Sequence, residues 1–502
     1  MPNTLGQRSR QWIYAIFAAL LATRLVAMFL IPLTDTTEAR YAEIARKMVE
    51  TGNWVTLWHD YGVPFWAKPP LSTWVSAISM TLFGINEFAA RLPNLLIMIG
   101  AIAMIGVWVA RKWGRDAGLV SALFMSSMLL IDVAAGTVMT DIVLMFCTTW
   151  TLIAFWEVKQ TGSKLWGYLL FASCGVGLLA KGPVAIVLPG IPIFFWALWE
   201  RQLWASIKCL PWVGGILLML AIALPWYLLA EHRTPGFLDY FIVGENIKRF
   251  LVKGWDGDKY GHAHAVAIGT IVIYWLEGAF PWSLVALGWL LRRRWRGLRE
   301  HFGFANPQNS LMRYLLLATI APLVFFFFCR NIIITYPIVG LSPMAALMAA
   351  IWARSDVAGK SAGRHNLFFS TALLSAVLVV IATGYFGSLS KHDLPQFSQK
   401  PVMALFDSLR SPDSQLRYFN KRYYSAEFYS RGAARYTEKK ADLQALLHND
   451  SRDFIVVPDG DINMVPADVL DHFVQRGDFT DVILLQENAA PTAAAAQQGA
   501  LK

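Results

Sequence analysis

Charged side chains are scarce in this sequence and crowd into a few places. The densest stretch runs from Asp35 to about Arg91, directly after the first long apolar segment, and opens with DTTEARYAEIARKMVE. It sets Asp35 and Glu38 three residues apart beside Arg40, and places Lys68 just before Pro69 and Pro70. Further along, Asp132, Asp141, Lys181 and Arg249 stand at or beside the ends of apolar segments. A carboxylate beside cations can take or orient a proton on an attacking group while the cations hold a departing anion. Each residue also has a plainer use. Asp35 and Glu38 fit a helix-capping box, Lys68 and Lys181 can snorkel toward a membrane surface, and Asp132 and Asp141 can cap helix ends.

The platform for the first group is readable in its spacing. Tyr41, Ile44, Ala45 and Met48 recur at i, i+3, i+4 and i+7, while Glu38, Glu43, Arg46, Lys47 and Glu50 take the rest of the circumference. The pattern predicts a helix over 35–50, begun by Asp35 as N-cap, lying on a membrane rather than crossing it. Acids and bases on such a platform beside a bilayer imply chemistry on a lipid.

Composition bounds the remaining elements. The chain has 502 residues, 56% of them hydrophobic, with 21 Trp and 31 Phe, and a mean hydropathy of +0.44. That is too apolar for a soluble protein of this length. The net charge of +10 does not imply a nucleic-acid partner, because the bases sit in short loops between apolar runs. Cys147, Cys174, Cys209 and Cys329 lie in or beside apolar runs without CxxC spacing and read as small core hydrophobes.

Apolar stretches of spanning length fall near 12–33, 89–110, 116–133, 141–158, 165–181, 183–199, 208–230, 265–291, 311–329, 332–353 and 366–388, giving about 11 spans. The first is interrupted by Arg24 and lacks a cleavage pattern, so it reads as an uncleaved helix. With a cytoplasmic N-terminus, the strongly basic short loops all fall on the inner side: Arg111–Arg115, Lys159–Lys164, Arg201–Lys208, Arg292–Arg299 and Arg354–Arg364. The outer side then receives the loop 34–88, the turn between Asp132 and Asp141, the turn at Lys181–Gly182–Pro183, the loop 231–264 and everything after 391. Acids and bases from separate loops converge on that one face. Within 231–264 a second surface helix is expected, followed by His262 and His264, whose HxH spacing is weak evidence for a metal. Glu277 lies inside the eighth span, and Pro281–Trp282–Ser283 breaks that span. Residues 391–488 change character to short strand-like and amphipathic pieces, expected as a small α/β domain outside the membrane, with 489–502 disordered.

At this point the residues resemble a known class. Asp35–Arg46 (DTTEARYAEIAR), Trp66–Trp74 (WAKPPLSTW), 82–93 and, in the tail, Ser425–Arg431 (SAEFYSR) are similar to segments of GT-C membrane glycosyltransferases that use polyprenyl-phosphate sugars. These are relatives of the lipid A aminoarabinose transferases and, more distantly, the protein O-mannosyltransferases. The resemblance implies a polytopic α-helical GT-C domain over 1–390, with surface helices in its first outer loop, and a C-terminal α/β periplasmic domain over 391–488. It implies an undecaprenyl-phosphate sugar as donor, lipid A or another periplasmic glycan or protein as acceptor, and the bacterial inner membrane as location. By the same resemblance an acid at the head of the first loop (Asp35, with Glu38 beside it) is the catalytic base or the group that orients the acceptor. Asp141 is then a second active-site acid, and Arg40 and Lys68 hold the donor phosphate. Aminoarabinose transferases also carry a Glu before the matching Lys, associated with a metal, and a His in the later loop; here these places hold Ala67 and Asn246. No cofactor is certain, and a divalent metal remains open.

The chemistry asks for these residue types whatever the family. A base takes or orients the acceptor's proton, a role for Asp35, and cations stabilise the departing phosphate, with Arg40, Lys68, Lys181 and Arg249 as candidates. Direct attack inverts the anomeric centre. The alternatives are a flippase for lipid-linked sugars, which would show broken midplane helices and internal repeats, and a membrane-anchored binding module.

Overall fold

Backbone that enters lipid must satisfy its own N–H and C=O groups, and the apolar runs of this chain do so as helices. The computed structural model describes residues 5–249, 252, 255–261, 266–303, 306, 309–356, 362–389 and 392–488. The helices up to residue 233 are α1 (Gln7–Leu30), α2 (Thr37–Thr51), α3 (Leu71–Phe83), α4 (Glu87–Trp113), α5 (Arg115–Ser126), α6 (Leu129–Ala135), α7 (Thr140–Thr161), α8 (Lys164–Lys181), α9 (Val184–Trp199), α10 (Leu203–Lys208) and α11 (Trp212–Arg233). A short hairpin of β1 (Trp58–Asp60) and β2 (Val63–Pro64) lies between α2 and α3.

Among the described residues six helices are long and apolar enough to cross a membrane: α1, α4, α7, α11, Tyr336–Arg354 and Ser370–Ser388. Two bent helix pairs are apolar enough together, each a broken span or a re-entrant loop. One is α5 with α6, at 73°; the other is Thr270–Gly278 with Trp282–Arg292, at 108°, broken where the sequence places Pro281. The other three expected stretches are helical but shorter: α8 with 18 residues, α9 with 16, and Ser310–Phe326 with 17. At about 1.5 Å per residue, 17 residues reach about 25 Å, less than the roughly 30 Å of a hydrocarbon core. Two of the three carry internal prolines: Pro189 and Pro192 in α9, and Pro322. The chain is a multi-pass membrane protein, with fewer full-length spans than hydropathy alone predicts. Glu277, expected inside a span, is exposed.

The chain divides into two compact units, one of Met1–Phe29 with Met48–Thr383, the other of Leu30–Lys47 with Gly384–Lys502. At the centre of the first is α7, with 83% of its spanning window buried. Around it Phe155, Trp156, Trp196 and Tyr314 pack ring against ring at centroid distances of 5.3–6.0 Å. Buried polar groups fix the segment leading into α7. The Asn94 side chain donates to the carbonyls of Thr137 and Met139, at 2.6 and 3.3 Å. Arg24 of α1 pairs with Asp132 of α6, and its chain lies against Gly136, where a Cβ would come within 2.4 Å of Arg24 Cδ. Only glycine leaves that space.

The second unit holds a five-stranded sheet in the order β4-β3-β5-β7-β6, built from β3 (Leu416–Phe419), β4 (Ala434–Thr437), β5 (Phe454–Pro458), β6 (Phe473–Phe479) and β7 (Val482–Glu487). β3 pairs in parallel with β4 and β5, while β7 pairs antiparallel with β5 and β6. Alternate residues of β3 and β5 face two separate apolar clusters. Leu416, Tyr418, Phe454 and Val456 pack with Phe406; Phe419, Ile455 and Val457 pack with Leu443 and Val469. This is the small α/β arrangement the strand pattern predicts, with apolar cover on both faces.

The head of the first loop belongs to this second unit, and the polar side of α2 is not the solvated face its periodicity predicts. Glu43, Arg46 and Lys47 are buried. Arg46 donates to Glu43 at 2.6 and 2.8 Å. Lys47 Nζ reaches Glu427 at 2.7 Å and Glu43 at 3.4 Å, and Arg422 closes on Glu427 at 2.6 Å. Burial pushes the Glu43 carboxyl up, against the pull of Arg46 and Lys47. Breaking a buried pair by removing one partner typically costs about 3–5 kcal/mol, because the other charge stays behind. Glu43→Ala is therefore expected to destabilise the fold by that order, read as a lower apparent melting temperature in detergent. Glu50→Ala, at the exposed end of the same helix, should stay within about 0.5 kcal/mol.

Candidate active site

Five charged side chains, Lys68, Asp141, Lys181, Glu245 and Arg249, line one cavity of the first unit, of about 570 Å³ including its open mouth. Two arrive on an antiparallel helix pair. α7 and α8 are joined by a turn in which Gly162 takes φ +67°, so the first turn of α7 and the last turn of α8 lie at the same end. Asp141 sits in the one and Lys181 in the other, and Lys181 donates to Asp141 although 40 residues separate them. The Lys181 ammonium also stands 4.5 Å from the centre of the Tyr336 ring, a cation–π contact. The next residue, Gly182, has φ +83°, and a Cβ there would come within 2.6 Å of the Phe241 ring. Both facts require glycine.

The other two cations meet on the second carboxylate. Glu245 and Arg249 are i, i+4 neighbours on and just after the π-helix Asp239–Lys248, a helix type often found at functional sites. Arg249 donates to both Glu245 oxygens, at 3.0 and 2.8 Å, and reaches Asp258 at 3.2 Å. Lys68, held in an extended loop by the prolines after it, places its Nζ 3.1 Å from Glu245 Oε2 and 2.7 Å from the Ala67 carbonyl. Tyr240 donates to the same carboxylate at 3.3 Å. Burial pushes the Glu245 carboxyl up, but Lys68 and Arg249 outweigh it and hold it below its ordinary value. For Arg249 burial opposes the charge, yet Glu245 and Asp258 raise its pKa. The site is a set of fixed charges: three cations, two carboxylates, and the polar groups of Asn246, Asn331 and Tyr336 at its wall.

The loop from Trp255 to Gly261 is fastened to the segment before Lys68. Tyr260 Oη donates to the Pro64 carbonyl at 2.7 Å and accepts the Trp66 N–H at 3.0 Å. Tyr240, Trp255 and Tyr260 pack about one another, and the Lys259 ammonium lies 4.3 Å from the Trp66 ring.

The seven site residues expected from the sequence thus fall into two groups. Lys68, Asp141, Lys181 and Arg249 line the cavity; Asp35, Glu38 and Arg40 belong to the second unit. There Asp35 accepts from the Ser425 N–H at 3.1 Å and from the Ser425 hydroxyl. Burial raises its carboxyl to about 6, against the opposing pull of those hydrogen bonds. Glu38 reaches back to Thr34, accepting from its N–H at 3.2 Å and its hydroxyl at 3.3 Å. The helix start is therefore boxed by Thr34 and Glu38, not by Asp35 as N-cap. The Arg40 guanidinium lies 5.7 and 5.8 Å from the Tyr41 and Tyr424 rings. Glu245 and Tyr336 escaped the sequence analysis. The i, i+4 spacing of Glu245 and Arg249 was the available signal for the first, and nothing marked the second.

The side chains do not suit a metal at the two places where the resemblance would put ligands. Ala67 offers a methyl group, and the Asn246 amide is turned to the Phe241 carbonyl, donating at 2.7 Å. Among the described residues no group of three or more His, Cys, Asp or Glu side chains could hold an ion. His262 and His264 lie outside the described residues, as does the segment 489–502.

Residues 11–241 match the family described as dolichyl-phosphate-mannose-protein mannosyltransferase. Three proteins named undecaprenyl phosphate-alpha-4-amino-4-deoxy-L-arabinose arabinosyl transferase are similar over most of the chain. The one from Erwinia tasmaniensis is 30% identical, covering 74% of this chain and 66% of its own length. That from Aeromonas hydrophila is 31% identical, covering 64% and 56%. That from Yersinia enterocolitica is 30% identical, covering 77% and 69%. The matches thus span between about half and two thirds of these relatives. A crystal structure of ArnT from Cupriavidus metallidurans, bound to undecaprenyl phosphate, superposes with a TM-score of 0.77 at 18% identity, covering 96% of this chain and 99% of that one. The fold is shared almost end to end.

Asp35 supplies a pH test. Its folded pKa of about 6 lies above its ordinary value of 3.8, so the folded state binds the proton more tightly than the unfolded chain. Stability from this group is greatest below about pH 4 and is lost as pH rises through 6, by at most about 3 kcal/mol. Asp35→Asn keeps an acceptor for the Ser425 N–H and removes the charge. Melting curves in detergent from pH 4.5 to 7.5 should show the variant gaining on the wild type as pH rises.

Proposed function

Because the chain belongs to the membrane glycosyltransferase family of the undecaprenyl phosphate-aminoarabinose arabinosyl transferases, we propose that it is an inverting glycosyltransferase. It moves a sugar from an undecaprenyl phosphate carrier to an acceptor such as lipid A, at the periplasmic face of the bacterial inner membrane. The observation that carries this reading is the cavity in which Lys68, Lys181 and Arg249 are held around Asp141 and Glu245. The basic loops support the orientation, with the N-terminus cytoplasmic.

In this mechanism Lys68 and Arg249 grip the donor phosphate, which bears one negative charge as a diester and gains another as it leaves. They are fixed before substrate arrives, so no reorganisation opposes the developing charge. Asp141 orients the acceptor oxygen, with Lys181 holding its carboxylate in place. The acceptor O–C1 bond forms as the C1–O bond to phosphate breaks on the opposite face. The hydroxyl proton passes to Asp141, and undecaprenyl phosphate departs. Where the acceptor is itself a phosphate, no proton moves and the cations carry more of the work. The assignment shifts the base from Asp35 to Asp141, since both Asp35 oxygens are committed to Ser425. Asp35, Glu38 and Arg40 then hold the head of the first loop.

The test uses purified protein with radiolabelled undecaprenyl-phosphate sugar in detergent. Wild type should consume the donor and label an acceptor; a flippase would leave the lipid-linked sugar intact. Lys68→Ala and Arg249→Ala should each weaken donor binding by about 10- to 150-fold, the range for a charge-assisted hydrogen bond. Asp141→Asn should lower kcat by about 10²–10⁴ for a hydroxyl acceptor and little for a phosphate acceptor. Asp35→Asn should keep most of its turnover; its loss in a folded protein would return the base to the first loop.

A further inference from the structure

The relatives take, by their names, an amino sugar. The charges around this cavity point to a different donor, and we infer that the sugar accepted here is uncharged, a neutral pentose or hexose. The inference rests on the transferase reading above.

The argument is one of charge balance in a partly buried site. Lys68, Lys181 and Arg249 contribute three positive charges to the lining; Asp141 and Glu245 contribute two negative ones. Just behind the lining, Asp258 on Arg249 adds one negative charge, and Lys259 over the Trp66 ring adds one positive charge. Among the described residues either count leaves an excess of one positive charge, which a phosphodiester donor cancels. With a hydroxyl acceptor, a neutral sugar completes the balance. A sugar bearing an ammonium group brings back one unmatched positive charge beside three fixed cations, where the dielectric is well below that of water.

The carboxylates cannot easily turn to meet such an ammonium. Glu245 accepts from Lys68, Arg249 and Tyr240, and Asp141 from Lys181. Each already neutralises a cation, and to share it with a second is to loosen the first. The other hydrophilic wall positions carry no charge: Asn246, Asn331 and Tyr336. Their oxygens can accept a hydrogen bond from an ammonium but bring no negative charge to offset it, and Lys181 already covers the Tyr336 face.

The decisive experiment compares donors that differ at one group. Undecaprenyl phosphate-arabinose and its 4-amino-4-deoxy counterpart, and a glucose and aminoglucose pair, are competed against labelled undecaprenyl phosphate on the full-length protein in detergent at pH 7. Transfer is measured in parallel. The hydroxyl sugar of each pair should bind about tenfold or more tightly than the amine, a difference of ~1.4 kcal/mol, and N-acetylation of the amine should recover most of the loss. Asn331→Asp adds one negative charge to the wall at nearly constant volume and should narrow the gap. Equal binding, or tighter binding of the amino sugars by the wild type, overturns the inference. Transfer is read separately: binding in the expected order without turnover would sink the transferase reading and leave the charge argument standing.

Discussion

One buried carboxylate holds the cavity in its working form. Glu245 takes Lys68 from a loop 177 residues earlier and Arg249 from one helical turn later. Without it, two cations would face each other in a half-buried space, each desolvated and repelled by the other. With it they stay close and fixed, which is the condition for stabilising charge that appears only as a bond breaks. The same carboxylate competes with any anion that enters. In the proposed mechanism a phosphate shares Lys68 and Arg249 with Glu245, so it is bound less tightly than by bare cations, and a spent carrier can leave.

The remaining geometry is supplied by helices, and the pins that aim them are polar. Asp141 and Lys181 meet because α7 and α8 form an antiparallel pair, a result of chain topology and not of any local motif. Where α7 begins is set by Asn94 on the carbonyls of Thr137 and Met139, and by Arg24 on Asp132 over a glycine that leaves room for its chain. In an apolar medium such groups have no water to fall back on, so each satisfied pair fixes position as well as stability. On the loop side Tyr260 does comparable work, tying the segment after Trp255 to the backbone just before Lys68.

How far the sequence revealed this depended on whether a residue's partner lay near it. The cavity cations were legible because Lys68, Lys181 and Arg249 interrupt apolar runs at segment ends, where a charge needs a reason to be. The helix over 35–50 was legible from its period, and the C-terminal sheet from its short apolar strands. What periodicity could not give was the environment of the polar face. Arg46 and Lys47 look solvated until Glu427 and Arg422, nearly four hundred residues away, are brought against them. Glu245 was hidden for a similar reason: on a pattern reading it is one more polar residue of an amphipathic helix. Hydropathy overcounted full-length spans because α9 and Ser310–Phe326 are apolar but short, both cut by proline, while the 18 residues of α8 include Lys164 and Lys181 at its two ends.

The second unit shows why the head of the first loop is so polar. Leu30–Lys47 groups with the C-terminal sheet, and its charged residues find their partners on Ser425 and Glu427 within the helix Tyr424–Tyr429. The tail motif SAEFYSR and the loop motif DTTEAR are therefore two halves of one hydrogen-bonded surface, which accounts for both being marked in the sequence by the same kind of residues. A substitution in either half exposes the other half's buried charge, so the two should change together or not at all. The C-terminal sheet is therefore no detachable appendage: its loss would strip Glu43, Arg46 and Lys47 of the packing that keeps them buried, and Asp35 of its Ser425 partner.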